Sequence, residues 1–206
     1  MAGVLAIWHD LEDSRSELYE RWLVGEHIPE RLALPGFLGA RRYEAVMGSP
    51  RFFIAYDVTA PEALASPEYL ARLASPTPQT REVMAGFRNM LRTACSVAYR
   101  SPRRGLGACA VTAYSEDPVA VDGAGLERDP RVVGVQVWKA AQGPAGATSS
   151  EAKLRPGGDR RIETALVVDV QRENVGVELE DAVRAPLGRD AHVGTYRLLG
   201  EWRNES

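Results

Sequence analysis

One order of elements can be read twice along this chain, and no other feature narrows its fold as much. Residues 3–100 read as strand, helix, two strands, a broken helix and a strand, and residues 106–206 as a weaker version of the same series. Each series predicts an antiparallel sheet with helices on one face, which leaves the other face bare. Two bare faces in one chain can cover each other. The expected architecture is therefore α+β, with modules at 1–101 and 106–206 packed sheet against sheet and enclosing a pocket at each end. A chain of 206 residues is long enough for two such modules of about 100 residues each.

The apolar run at residues 4–8 is the first strand. Ser14 and Glu17 have the spacing of a capping box, in which hydroxyl and carboxylate satisfy the free backbone donors at a helix start. Leu18, Trp22 and Tyr19, Leu23 then recur at four-residue spacing and give that helix one apolar stripe. Pro29 disfavours helical backbone at Ile28, so the helix is expected to bend or stop near His27. Residues 40–47 and 52–58, joined by Gly48-Ser49-Pro50, read as a hairpin. Thr59-Ala60-Pro61, Ser66-Pro67 and Thr77-Pro78 are three helix starts of one kind, so the second helix is expected in pieces. Residues 91–99 supply the fourth strand. In the second series the strands fall at 108–114, 132–140, 162–170 and 192–202, with a helix at 178–184. Residues 117–129, with two glycines and a proline, admit only a short or irregular helix. Residues 143–161, rich in Gly, Ser and Ala, read as a mobile loop.

Twenty-five Lys and Arg against 28 Asp and Glu leave a net charge of −3, so no basic surface is expected and nucleic acid is not an expected partner. The N-terminus lacks the basic flank and apolar run of a secretion signal, and no stretch approaches the roughly 18 apolar residues of a membrane span. The expectation is a cytoplasmic protein with no membrane partner. Cys95 and Cys109, without C-x-x-C spacing, read as small core residues in a reducing compartment. There is no P-loop and no GxGxxG helix start, and His9, His27 and His192 lack metal-ligand spacing. No cofactor and no metal are expected, although a single histidine can ligate haem, so haem handling stays open.

The run Trp22-Leu23-Val24-Gly25-Glu26-His27-Ile28-Pro29-Glu30, followed by Leu34-Pro35-Gly36-Phe37 and Arg41-Arg42-Tyr43, holds an aromatic, a short spacer, H-x-P and a Leu-Pro-Gly turn into a strand. In this order of motifs and elements the first half resembles the dimeric α/β-barrel superfamily of ferredoxin-like (βαββαβ) folds, especially its EthD-like proteins. The second half matches in outline and has no H-x-P counterpart. The resemblance implies two tandem ferredoxin-like repeats forming an intramolecular barrel whose clefts hold a small apolar or aromatic ligand. That superfamily includes monooxygenases, isomerases, cyclases and haem-handling enzymes, so fold alone selects no reaction. A homodimer is permitted but not required, since one chain supplies both sheets.

His27 is the foremost catalytic candidate, because an imidazole titrates near neutrality and can move a proton to or from a carbon acid or phenol. The competing reading is a structural histidine that fixes the bend before the hairpin. Glu26 and Glu30 flank it, and a carboxylate close by raises a histidine's pKa. Tyr43 and Tyr56 on the hairpin strands can donate to a substrate carbonyl while their rings meet an apolar ligand. Trp8 and Trp22 can line a flat aromatic pocket, and Arg42, or Arg88 with Asn89, can orient an acidic or oxygenated substrate through paired donors. Two functions follow: a cofactor-independent isomerase, cyclase or oxygenase using His27, or a non-catalytic ligand-binding or assembly protein.

Overall fold

In β1 (Gly3–Leu11) nearly every side chain is buried, on both faces of the strand. A strand needs that only when helices cover one face and a second sheet the other. The structure is a computed structural model that describes residues 1–102, 105–142 and 149–204. It adds β2 (Phe37–Met47), β3 (Phe52–Val58), β4 (Phe87–Arg100), β5 (Cys109–Ser115), β6 (Val132–Ala140), β7 (Thr164–Val170) and β8 (His192–Arg203). All eight pair antiparallel and close into one barrel in the order β1-β3-β2-β8-β5-β7-β6-β4. The first four strands lie as 4-1-3-2 and the last four as 8-5-7-6, the same order, and the two sets join through β2–β8 and β4–β6.

Alternation sorts the side chains. Val4, Ala6 and Trp8 of β1 point into the barrel with Tyr43, Phe53, Tyr114, Trp138 and Tyr196, whereas Leu5 and Ile7 point outward to the first-half helices. Trp8 stacks on Phe53 at 4.7 Å, meets Tyr114 at 4.9 Å and donates from Nε1 to Thr112 Oγ1 at 3.3 Å. The middle of the barrel is thus a core built by both halves. Among the described residues one cavity lies outside the barrel, between the first-half sheet and its helices, and a second hollow opens at the end of the barrel where β2 meets β8, lined by Gly3, Ala40, Arg41, Asp57 and Glu201.

The first helical stretch departs from expectation at its start and keeps an irregularity near His27. No side chain caps it: a 3-10 turn (Asp13–Arg15) leads into α1 (Ser16–Trp22), so Ser14 and Glu17 form no capping box. Nor does the chain stop at His27. It widens into a π-helical turn (Leu23–His27) and continues as α2 (Ile28–Leu32), with Pro29 in the first turn of α2. A widened turn makes room for the proline ring and absorbs its missing donor. The prolines behave as read: Ser66 caps α3 (Pro67–Ala74) by accepting from Tyr69 N at 3.2 Å, and Thr77 caps α4 (Pro78–Met84) by accepting from Thr80 N at 3.0 Å.

In the second half, α5 (Glu173–Arg184) begins five residues before the expected start at Glu178. Gly176 lowers the helix propensity there, yet the fold requires it: a Cβ at this position would lie 2.6 Å from Thr195 Cγ2. Residues 117–129 hold only a 3-10 turn (Leu126–Arg128). Of the expected mobile loop, residues 143–148 lie outside the described residues, but residues 149–161 are docked rather than loose. Glu151 N donates to Leu73 O at 3.0 Å, Arg160 N to Met90 O at 2.8 Å and Arg92 N to Arg160 O at 2.9 Å. Those bonds satisfy backbone groups that a free loop would leave to water.

Candidate functional site

The cavity sits on the outer face of the first-half sheet. Strand alternation brings Leu5, Ile7 and His9 from β1, Ile54 and Tyr56 from β3, and Met90 and Arg92 from β4 to one surface. The helical stretch covers it with Tyr19, Trp22, Leu23, His27 and Arg31, joined by Tyr69 and Met84. Glu151 and Arg155 close it from residues 149–161 of the other half. Its free space is about 20 Å³ for the centre of a water molecule, enough for roughly one water. A metabolite enters only as side chains move, and the unbranched thioethers of Met84 and Met90 are the softest part of the wall.

The π turn orients His27. Residues five apart face away from each other on a regular α-helix of 3.6 residues per turn, but a widened turn brings them to one side. Trp22 and His27 accordingly meet with ring centroids 4.2 Å apart, while Trp22 Nε1 donates to Thr80 Oγ1 at 3.0 Å. His27 is 7% exposed and its Nδ1 has no hydrogen-bond partner in the protein. Burial holds its pKa well below the ordinary histidine value, and Arg31, Arg155, Arg72 and Arg92 push it the same way. Glu26 does not offset this, because it accepts from Thr80 Oγ1 at 3.2 Å, and Glu30 pairs with Arg72. The flanking carboxylates thus fail to raise the pKa, contrary to their promise in the sequence.

Arg31 is 2% exposed. Its Nη2 bonds the Glu151 carboxylate, and its Nη1 has no partner. Glu151 also lies 3.7 Å from Arg155, which grips both oxygens of Asp159 at 2.6 and 2.5 Å. Arg92 bonds the Tyr69 hydroxyl. Tyr56, with its ring centroid 6.4 Å from that of His27, has an unpartnered hydroxyl whose pKa burial pushes up, against the pull of Arg31. His9 is fully partnered by contrast. The Asp10 carbonyl, 3.2 Å away, can only accept, so Nδ1 carries the proton and Nε2 accepts from the Tyr19 hydroxyl at 3.1 Å. Burial lowers the His9 pKa to about 4.

Of the residues singled out in the sequence, His27, Trp22 and Tyr56 come together here. Trp8 and Tyr43 belong to the barrel core. Arg42 pairs with Glu20 and lies over the Tyr19 and Phe52 rings, outside the cavity wall. Asn89 is exposed, has φ 51°, and donates to Asp10 Oδ2 at 2.7 Å. Arg31, Glu151, Arg155 and His9 were not anticipated as members of one site. The four-residue step from His27 to Arg31 was the available signal for the first, since it places both on one helix face. Among the described residues no cluster of three or more His, Cys, Asp or Glu is arranged to hold a metal ion, and no helix is long and apolar enough to cross a membrane.

No family description matches this sequence, and no curated protein does. Solved structures match along almost the whole chain. An anthrone oxidase-like protein aligns over 99% of this chain and 94% of its own, with TM-score 0.57 and 13% identity. A candidate monooxygenase from Fusobacterium nucleatum subsp. nucleatum aligns over 100% and 95%, with TM-score 0.58 and 6% identity. A candidate chlorite dismutase aligns over 97% and 95%, with TM-score 0.51 and 10% identity. At these identities the likeness establishes a shared fold, and the differing names show that the fold hosts more than one chemistry.

Proposed function

We propose that this chain is a cytoplasmic, EthD-like tandem repeat of two ferredoxin-like modules, residues 1–101 and 106–206. Its first module binds a small apolar or aromatic metabolite and uses His27 as the acid or base of a cofactor-independent monooxygenase, isomerase or cyclase. The reading rests on one observation: His27, Tyr56 and Arg31, all buried, carry unpartnered polar atoms in the wall of one enclosed, largely apolar cavity. The names of the anthrone oxidase-like and monooxygenase neighbours lend it support. The common strand order of the two halves supports the repeat, and the free, buried Cys95 and Cys109 support a reducing compartment.

A depressed pKa keeps the imidazole neutral and able to accept a proton from a phenol or carbon acid. The surrounding guanidiniums disfavour the imidazolium until the substrate anion forms beside it, so proton transfer and charge stabilisation occur together. The anion then takes its proton back at another carbon in an isomerase, or passes electrons to dioxygen in an oxygenase. The test is oxygen uptake with anthrone as substrate. His27→Gln is expected to lower turnover at least about 100-fold, the usual scale for a positioned base, and unchanged turnover removes the role.

The small free space favours a second reading, a non-catalytic binding protein whose His27 packs against Trp22 to set the π turn. There His27→Ala lowers stability, and no screened substrate turns over in the parent protein.

A further inference from the structure

From β2 to β3 the chain turns in residues 48–51, whereas the matching connection of the second half, from β6 to β7, takes residues 141–163. Irregular connections this long are uncommon in compact domains and are either functional or loose linkers. The described part of this one is docked, and on the opposite half, where Glu151 and Arg155 complete the cavity wall. Residues 149–159 form a self-bonded unit, with Ala152 N donating to Ser149 Oγ at 3.1 Å, Leu154 N to Glu151 O at 3.1 Å, and Arg155 gripping Asp159. The unit is held to the first half by the Arg31–Glu151 pair, by Glu151 N on Leu73 O, by Leu154 packing on the core there and by Arg155 Nη1 on Met84 Sδ at 3.5 Å. Gly157 and Gly158 come next, with φ of 82° and 72°, and a Cβ added at either would meet nothing within 4 Å. Arg160 then anchors the chain, bonded through its backbone to Met90 and Arg92 of β4. A compact unit, an uncrowded glycine pair and a fixed anchor are the parts of a hinge.

We propose that residues 149–159 are a hinged cover: they pivot at Gly157-Gly158, the Arg31–Glu151 pair latches them shut, and their opening admits the ligand. This rests on the reading of the cavity as a ligand site and adds its entrance, supplied by the opposite half of the chain. Free space for about one water passes no metabolite, so some part of the wall must move. Lifting the helices would expose Trp22, Leu23 and Ile28, each at most 1% exposed with the cavity closed. Lifting the cover exposes Ala152 and the half-buried Leu154, and it returns Arg31 and Glu151 to water together, so neither charge is stranded in an apolar wall.

The experiment is labelling of the full chain with N-ethylmaleimide under native conditions, read by peptide mass spectrometry. Met84→Cys places a thiol in the cavity wall, and its rate is compared with that of Cys95, which lies in the barrel core and is reached when the whole fold opens. The introduced thiol is expected to react at least about tenfold faster than Cys95, as local opening below the global one requires. Met90→Cys reads the same opening from β4, independently of α4. Adding Glu151→Gln, which weakens the latch, is expected to raise the ratio of the two rates at least about threefold. Equal rates for the cavity thiol and Cys95, or a ratio that Glu151→Gln leaves unchanged, overturns the cover. Hydrogen exchange on the parent protein locates the movement: the Glu151 amide should exchange before those of Arg92 and Arg160 and before those of α2 and α4, and helix amides exchanging first overturns the proposal by placing the entrance there. None of these readings uses a ligand, so their failure leaves the ligand site to its own test by anthrone oxidation.

Discussion

Glu151→Ala tests whether the second half closes the first-half cavity. In the folded protein the Arg31 and Glu151 side chains are 3% and 6% exposed, so the pair belongs with buried ion pairs rather than with surface pairs worth about 0–1 kcal/mol. Removing one partner of a buried pair costs about 3–5 kcal/mol, because the other charge stays desolvated and alone. Arg155 keeps Asp159, but Arg31 has no second carboxylate among the described residues, so the whole penalty falls on it. With a urea m-value of about 3 kcal/mol/M, the unfolding midpoint should drop by roughly 1–1.7 M. Arg31→Met/Glu151→Leu replaces the pair with apolar volume and should recover to within about 1 kcal/mol of the parent. Equilibrium urea unfolding followed by tryptophan fluorescence reads both. A loss below about 1 kcal/mol for Glu151→Ala, or a double variant as unstable as the single, would refute the buried pair and with it the docking of residues 149–161.

The His9 pKa of about 4 is below the unfolded value of 6.5, so the native state favours the neutral ring. Its contribution is fully present above pH 6.5, declines as pH falls toward 4, and amounts to about 3 kcal/mol. Urea midpoints measured from pH 7.5 to 4 should fall more steeply for the parent than for His9→Gln, and equal slopes would contradict the assignment. Trp8→Ala, in the barrel core, should cost about 3–5 kcal/mol. Unfolding should remain a single transition by fluorescence and circular dichroism, because Trp8 packs on residues from both halves; two separated transitions would show independent modules. Gly176→Ala should destabilise despite its better helix propensity, since the added methyl meets Thr195 at 2.6 Å; a raised melting temperature would contradict the tight packing of α5.

The strands were legible because each is a short apolar run between turn signals. The expected spans 52–58 and 132–140 coincide with β3 and β6, and the others differ by a few residues at their ends. Prolines beside Ser66 and Thr77 marked α3 and α4 for the same local reason, a preset φ beside a capping hydroxyl. The π turn was illegible because Pro29 signals only that regular helix geometry fails, not whether the chain stops or widens. The site was half legible: Trp22, His27 and Tyr56 could be proposed from motif and hairpin position. Arg31 meets Glu151 across 120 residues, and Glu151 sits in a stretch whose composition reads as a linker. Long-range ion pairs leave no periodicity in a sequence. The facing of Trp8 and Tyr43 was likewise undetermined, since strands buried on both sides give no polar face to set the alternation.

During synthesis Arg31 leaves the ribosome 120 positions ahead of its counter-ion. At about 5–20 residues per second it waits roughly 6–24 s with a naked guanidinium, beside a sheet whose inner aromatic surface also lacks its cover. The nascent first half of the chain is in that interval sticky and unfinished, whatever its own helices achieve. A gene cut near Pro102 would yield two fragments that need each other, and co-expression of the pair, rather than either piece alone, is the way to make them soluble.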